Sequence, residues 1–192
     1  MLVTNIRGVD KMSRTRAALL RAALELFDER GYDATTAAAI AARAGVSEMT
    51  FFRHFASKDA VLVDDPYDPL IAEAVGRQAK DLPPLGAAVA GVREAWGAVS
   101  APAGAEVRDR LRIVSRTPSL RGVLARNSGT TTDAIAGALR SRGVPQADAH
   151  IAAAATIGAL NAALLEWADG DDPDLGSAIE AALRVLAWGD RP

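Results

Sequence analysis

Ala34 to Phe55, ATTAAAIAARAGVSEMTFFRHF, restricts the fold of this chain more than any other stretch. It suits two short helices hinged at Ala44-Gly45-Val46. Thr35 and Thr36 stand ahead of an alanine-rich run, where their hydroxyls can cap its first turn. Gly45 supplies the left-handed backbone that ends the first helix, and Ser47 caps a second helix running to Phe55. Ile40, Ala41, Ala44 and Val46 form a small, tight seam between the two. Phe51 and Phe55 are four residues apart on one face and are expected to bury. Ser47, Glu48, Met49, Phe52 and Arg53 are then turned outward. This is the grammar of a helix-turn-helix, whose outer face is shaped for a DNA groove.

The flanks supply a prop for the pair. From Ser13 to Arg30 apolar residues recur at helical spacing, Leu20, Ala23, Leu24 and Phe27, widened by Leu19 and Leu26, and the pattern stops at Gly31. Residues 1–12 are expected to be a flexible tail, with Lys11, Arg14 and Arg16 as solvated charges. After Phe55, Ser57 is placed to cap a further helix with Lys58 in its first turn. A cation there opposes the helix dipole, which a phosphate partner compensates.

With these residues in view, the stretch from 14 to 63 resembles the DNA-binding domain of the TetR family of bacterial repressors, through LLRAALELFDERGYDATT, IAARAGVS, TFFRHFASK and AVL. The resemblance implies an all-α homodimer. Residues 13–63 would be the three-helix helix-turn-helix domain, and residues 64–192 a helical domain for effector binding and dimerisation. It further implies that Thr50, His54 and Lys58 meet backbone phosphate, while Arg53 and the start of the recognition helix, Ser47, Glu48 and Met49, enter the major groove. Thr36, at the head of the supporting helix, joins this set. Phe52 stands where the family often has tyrosine, which leaves it stacking or contact with a thymine methyl. The implied partner is a near-palindromic double-stranded operator, released when a small effector binds.

Composition agrees without proving the point. The chain has 192 residues, 49% hydrophobic and only 5% aromatic, and its alanine content favours closely packed helices over sheets. The absence of cysteine excludes disulfides, thiolate metal sites and a cysteine nucleophile. Residues 1–60 hold nine Lys and Arg against seven acids, whereas the rest hold thirteen against seventeen, so any phosphate-binding patch is confined. The first residues, MLVTNIRGVDKMSR, lack the apolar core of a signal peptide, and a cytoplasmic location is expected.

Beyond residue 63, Pro66 and Pro69 mark the junction, with helix resuming to about Gln78. Pro83-Pro84 opens a helix through Ala98, and residues 101 to 104 break it before another runs to Arg116. Pro118 begins a segment expected to break near Gly129 and continue to Arg142. Pro145 opens the apolar helix ending at Gly170, and Leu175 to Ala187 forms the last. The run Ile151 to Ala168 barely reaches the roughly 20 residues of a membrane span. It carries Asn161 and Glu166, so a buried soluble helix is expected and no membrane. In the resembled family the last two helices pair with their copies, which makes Leu160, Leu164, Trp167, Leu183 and Leu186 candidate dimer contacts.

The family likeness also implies an effector cavity within the C-terminal helices. Polar or aromatic residues stranded there, Trp96, Arg112, Arg116, Asn127, His150 and Asn161, are the candidates. TFFRHF followed by RLRIVSRTPSLRGVLAR is similar to an actinobacterial subgroup with acyl-CoA-responsive members, which implies a lipophilic or CoA-linked effector. Two readings compete: a constitutive DNA-binding dimer without an effector, and an all-α enzyme. The second lacks its usual parts, since His54 and His150 are far apart and there is no HExxH or glycine-rich loop after a strand. Asp169, Asp171, Asp172 and Asp174 imitate a calcium loop, but Pro173 and the missing sixth-place glycine spoil it, so neither metal nor cofactor is expected.

Overall fold

A computed structural model describes residues 4–64, 68–98, 104–171 and 174–187, with side chains from Met12 onward. The chain divides into two compact units, Met1–Asp64 and Asp65–Pro192. Among the described residues both are built from helices alone.

The first unit holds α1 (Thr4–Arg30), α2 (Ala37–Arg43), α3 (Glu48–His54) and α4 (Ala60–Val63). α1 begins nine residues ahead of Ser13, inside the segment expected to be a tail; residues 1–3 lie outside the described residues. Its apolar stripe, Leu19, Ala23, Leu26 and Phe27, is buried, as are Ile40, Ala41, Phe51 and Phe55 of the same unit. α1 ends where Gly31 takes φ +80 and donates its N–H to Phe27 O at 2.9 Å. Thr35 is buried and does not cap α2. Its one hydroxyl proton is shared between Gly31 O at 2.9 Å and Leu26 O at 3.2 Å, which ties the turn ahead of α2 back to the end of α1.

Thr36 is the cap of α2, its hydroxyl accepting from Ala39 N at 3.1 Å. At the other end Val46 N donates to Ala41 O at 3.0 Å and Gly45 N to Ala42 O at 3.1 Å, the paired bonds of a Schellman stop. Gly45 has φ +70, which a residue with a Cβ adopts only with strain. Ser47 then accepts from Thr50 N at 3.2 Å and starts α3. Phe55 is buried as expected, but it stands one residue past α3 in extended backbone.

The second unit holds α5 (Asp68–Arg77), α6 (Pro84–Ala98), α7 (Gly104–Arg116), a 3-10 turn at Pro118–Leu120, α8 (Arg121–Ser141), α9 (Gln146–Asp169) and α10 (Leu175–Ala187). Pro66 of the expected junction and residues 101–103 of the expected break lie outside the described residues. α9 is the centre, touching α6, α7, α8 and α10. The core gathers Val75, Ala88, Val92, Ile135, Leu139, Ala153, Ile157, Leu160, Trp167, Ile179 and Leu183. α8 runs unbroken through Gly129, against the expected interruption. A single exposed glycine costs about 1 kcal/mol in a helix, and burial of Ile135, Ala136 and Leu139 along the same helix outweighs that.

α9 is the one described helix long and apolar enough to cross a membrane by length and composition. Its core role accounts for only half of that character. Ala149, Ala152, Ala153, Thr156, Ile157, Leu160, Trp167 and Ala168 are buried. Ile151, Ala154, Ala155, Gly158 and Ala162, on the opposite side, are exposed.

Candidate functional site

The recognition helix α3 is held from beneath. Phe51 is fully buried and its ring meets that of Phe55 at 5.7 Å. Arg16 of α1 lies 4.1 Å over the Phe55 ring and donates Nη1 to His54 O at 2.7 Å, capping the C-terminal end of α3. Its other terminal nitrogen faces Asp64 at 3.6 Å. Arg16 is thus a positioning residue rather than a solvated tail charge; the Lys11 side chain lies outside the described residues. On the far side, Arg43 of α2 bridges to Glu25 at 3.1 Å and Glu29 at 2.8 Å on α1. The paired guanidinium holds the Glu29 carboxyl below its ordinary range.

Successive residues step about 100° around α3, which places Phe51 inward and Glu48, Phe52, Met49 and Arg53 on the outer arc. All four are exposed, Met49 at 82% and Phe52 at 50%. Thr50 is half-buried, its hydroxyl 2.9 Å from that of Ser47. His54 is half-buried, and burial, together with the charges of Arg53 and Arg16, pushes its pKa down. Thr36 is exposed at the head of α2.

Lys58 has a fuller role than an open cation. Its Nζ donates to Tyr32 O at 2.8 Å and Thr35 O at 2.9 Å and sits 3.9 Å from the Tyr32 ring centroid. The Tyr32 hydroxyl in turn donates to Asp59, so one cluster ties the turn ahead of α2 to the start of α4. Ser57 accepts from Ala60 N at 3.2 Å, as its position before that helix suggests. An ammonium has three donors, and two are engaged here.

A model of bacterial regulatory proteins of the tetR family matches residues 19–64. A model of the MftR C-terminal domain matches residues 82–191, more than half of the chain. The chain belongs to the TetR family. Its first unit carries the helix-turn-helix of that family's regulatory proteins, and its second carries the MftR-type C-terminal domain. It is similar to the HTH-type transcriptional regulator TcmR of Streptomyces glaucescens, 37% identical over 125 residues, covering 62% of this chain and 55% of that protein. The chain therefore spans about half the length of that curated relative. Among solved structures it is similar to NalD, the secondary repressor of the MexAB-OprM multidrug efflux pump in Pseudomonas aeruginosa. NalD is 25% identical with a TM-score of 0.54, over 94% of this chain and 97% of that one. SmeT, repressor of the SmeDEF pump of Stenotrophomonas maltophilia, shares the fold at 22% identity and a TM-score of 0.56, over 91% and 89%.

In this TetR chain the six residues expected around an effector are spread over α6, α7, α8 and α9. Arg112 donates Nε to Ala168 O at 2.7 Å, near the end of α9. Asn161 donates to Ser128 Oγ at 2.7 Å, joining α9 to α8. Trp96 and Asn127 are half-buried, whereas Arg116 and His150 are exposed. His150 lies 18 residues from Ala168 along one helix, roughly 27 Å away, so it cannot share a small pocket with Arg112.

The residues expected at the dimer contact lie in or beside the protomer's own core. Leu160, Trp167 and Leu183 are buried in the protomer's own core, and Leu164 and Leu186 pack half-buried against it. Trp167 lies beneath the Arg108 guanidinium at 4.3 Å, a pairing that sequence spacing did not signal. Asp174, read as part of an acidic connector, accepts from Gly176 N at 2.9 Å and Ser177 Oγ at 2.6 Å and so caps α10. Asp172 and Pro173 lie outside the described residues, and no group of three metal-ligating side chains occurs among those described.

Proposed function

We propose that the protein is a homodimeric repressor that grips a near-palindromic operator through its two α3 helices and is released by a small effector bound in the second unit. It acts by binding rather than by catalysis, and it works in the cytoplasm. The observation that carries the reading is the outer arc of α3, where Glu48, Met49, Phe52 and Arg53 are all exposed while Phe51 anchors the helix. On this reading Arg53 meets guanine, Ser47, Glu48 and Met49 enter the major groove with it, and Thr36, Thr50, His54 and Lys58 form the rim toward phosphate. The description of NalD as a repressor supports the sign of regulation.

Dimerisation is supported by the second face of α9. Ile151 is 65% exposed and Val185 of α10 is 72% exposed. A Cβ added at Gly158, on the exposed side of α9, meets nothing within 4 Å. Two such faces from two protomers would bury each other, and pairing would set the recognition helices one groove apart, about 34 to 36 Å or a multiple of it. For the effector, lipophilic or CoA-linked, the supporting residues are Asn161 on α9 and Trp96, Arg112 and Asn127 on the helices packed around it. Trp167 adds an indole N–H that is buried with no hydrogen-bond partner among the described residues.

The test is selection of bound duplexes from random double-stranded DNA by the full chain, with and without acyl-CoA thioesters. Enrichment of a near-palindrome, lost when a thioester is added, is the expected result. A chain that enriches no duplex at low salt sinks the DNA-binding reading, and a palindrome unaffected by any thioester removes that effector class.

A further inference from the structure

We infer that Met49 and Phe52 read thymine 5-methyl groups, so that each operator half-site is specified at its centre by apolar contact rather than by hydrogen bonds. The inference rests on the DNA-binding reading above and adds to it which bases are read and how.

Six large apolar side chains are strongly exposed among the described residues, and two of them, Met49 and Phe52, stand on the seven-residue helix α3. Three residues apart on a helix, they are side-by-side neighbours on its surface. They occupy the middle of the outer arc, with Glu48 on one flank and Arg53 on the other. The polar readers are therefore at the edges, a carboxylate suited to an amino donor and a guanidinium suited to guanine. Nothing between them can donate or accept a strong hydrogen bond. The thymine methyl is the apolar group that base edges present in the major groove. Burying Met49 and Phe52 against anything else in that groove would desolvate base donors and acceptors without replacing their hydrogen bonds.

The Phe52 ring is also preset for such a contact. It meets the buried Phe51 edge-on, with centroids 5.3 Å apart and planes at 88°. That packing holds half of the ring while leaving the other half open, so little freedom is lost on binding. Met49 is unbranched and adapts its sulfur and terminal methyl to an irregular surface.

The experiment starts from an operator obtained by the selection described above. Each thymine is replaced in turn by deoxyuridine, which keeps the pairing edge and O4 and lacks only the methyl. Wild-type protein should bind about fourfold more weakly for each read methyl removed, the value of one buried methylene-sized group. Changing the same position in both half-sites should cost about fifteenfold, the square of that loss. The deoxyuridine effect should vanish in Met49→Ala at one position and in Phe52→Ala at another. Met49 is 82% exposed, so thermal unfolding of Met49→Ala should match wild type; Phe52→Ala gives up the contact with Phe51, so its operator titrations are made well below its own unfolding midpoint. A defined operator that tolerates deoxyuridine at every thymine overturns the inference while leaving the DNA-binding reading intact. A Phe52→Ala variant that loses affinity on an operator indifferent to deoxyuridine also overturns it. Failure to select any duplex sinks both.

Discussion

At the scale of single residues, the cations of the first unit divide by what they touch rather than by where they fall in the chain. Arg16 reads as a solvated charge and Lys58 as a cation for phosphate, yet both donate to backbone carbonyls of their own unit. Charge-assisted hydrogen bonds of this kind contribute about 1.5 to 3 kcal/mol each. Lys58→Met keeps the stem and removes the donors, and it should lower stability by roughly 1 to 3 kcal/mol in urea unfolding with no DNA present. Unchanged stability would leave Lys58 with the phosphate role alone. His54 gives a second check. Its folded pKa lies below the ordinary histidine value because burial and two neighbouring arginines disfavour the charged ring. The native unit thus binds that proton less readily than the unfolded chain, so His54 favours folding above the ordinary pKa and ceases to as pH falls through the lowered one. Denaturation from pH 7.5 to pH 5 should show stability declining, and His54→Gln should flatten that decline. The partners of Lys58 lie 26 and 23 residues back in the chain, which is why local spacing named the cation and missed its carbonyls.

At the scale of helices, ends were legible wherever a residue type can do only one thing. Thr36, Ser47 and Gly45 start and stop α2 and α3 as their chemistry requires, and Pro84 opens α6. The reading failed where packing overrides local preference, at Gly129 in the middle of α8 and at Phe55, whose ring is buried although its backbone has left the helix. Gly91 shows the same influence from the other direction. Nothing in its surroundings along the chain marks it, yet a Cβ there would lie 2.7 Å from the Cα and N of Val75 on α5. Backbone cannot yield as a side-chain tip can. Gly91→Ala should force α5 and α6 apart and cost about 1 to 3 kcal/mol, read as a fall in the thermal midpoint. A variant as stable as wild type would mean that the two helices slide without loss.

At the scale of the whole molecule, the two sides of α9 make different demands. One side completes the core; the other exposes Ile151, Ala155, Gly158 and Ala162. Gly158→Arg should give monomers in sedimentation velocity, with helical circular dichroism kept and operator affinity lost. Leu183→Ala should behave in the opposite way. It empties a fully buried site and should lose about 2 to 5 kcal/mol while still assembling. A Gly158→Arg protein that remains dimeric would move the subunit contact elsewhere.

The residues from Ala34 to Phe55 determined the helix-turn-helix by themselves, because caps, a left-handed glycine and a four-residue aromatic spacing act within a few turns of chain. The position of Lys58, the continuity of α8 and the two faces of α9 were decided only in three dimensions. An evenly apolar helix carries no phase in its sequence, so its inner side is chosen by the neighbours that close on it, here α6, α7, α8 and α10. Burial is a property of those neighbours, and they are contributed by segments far away along the chain.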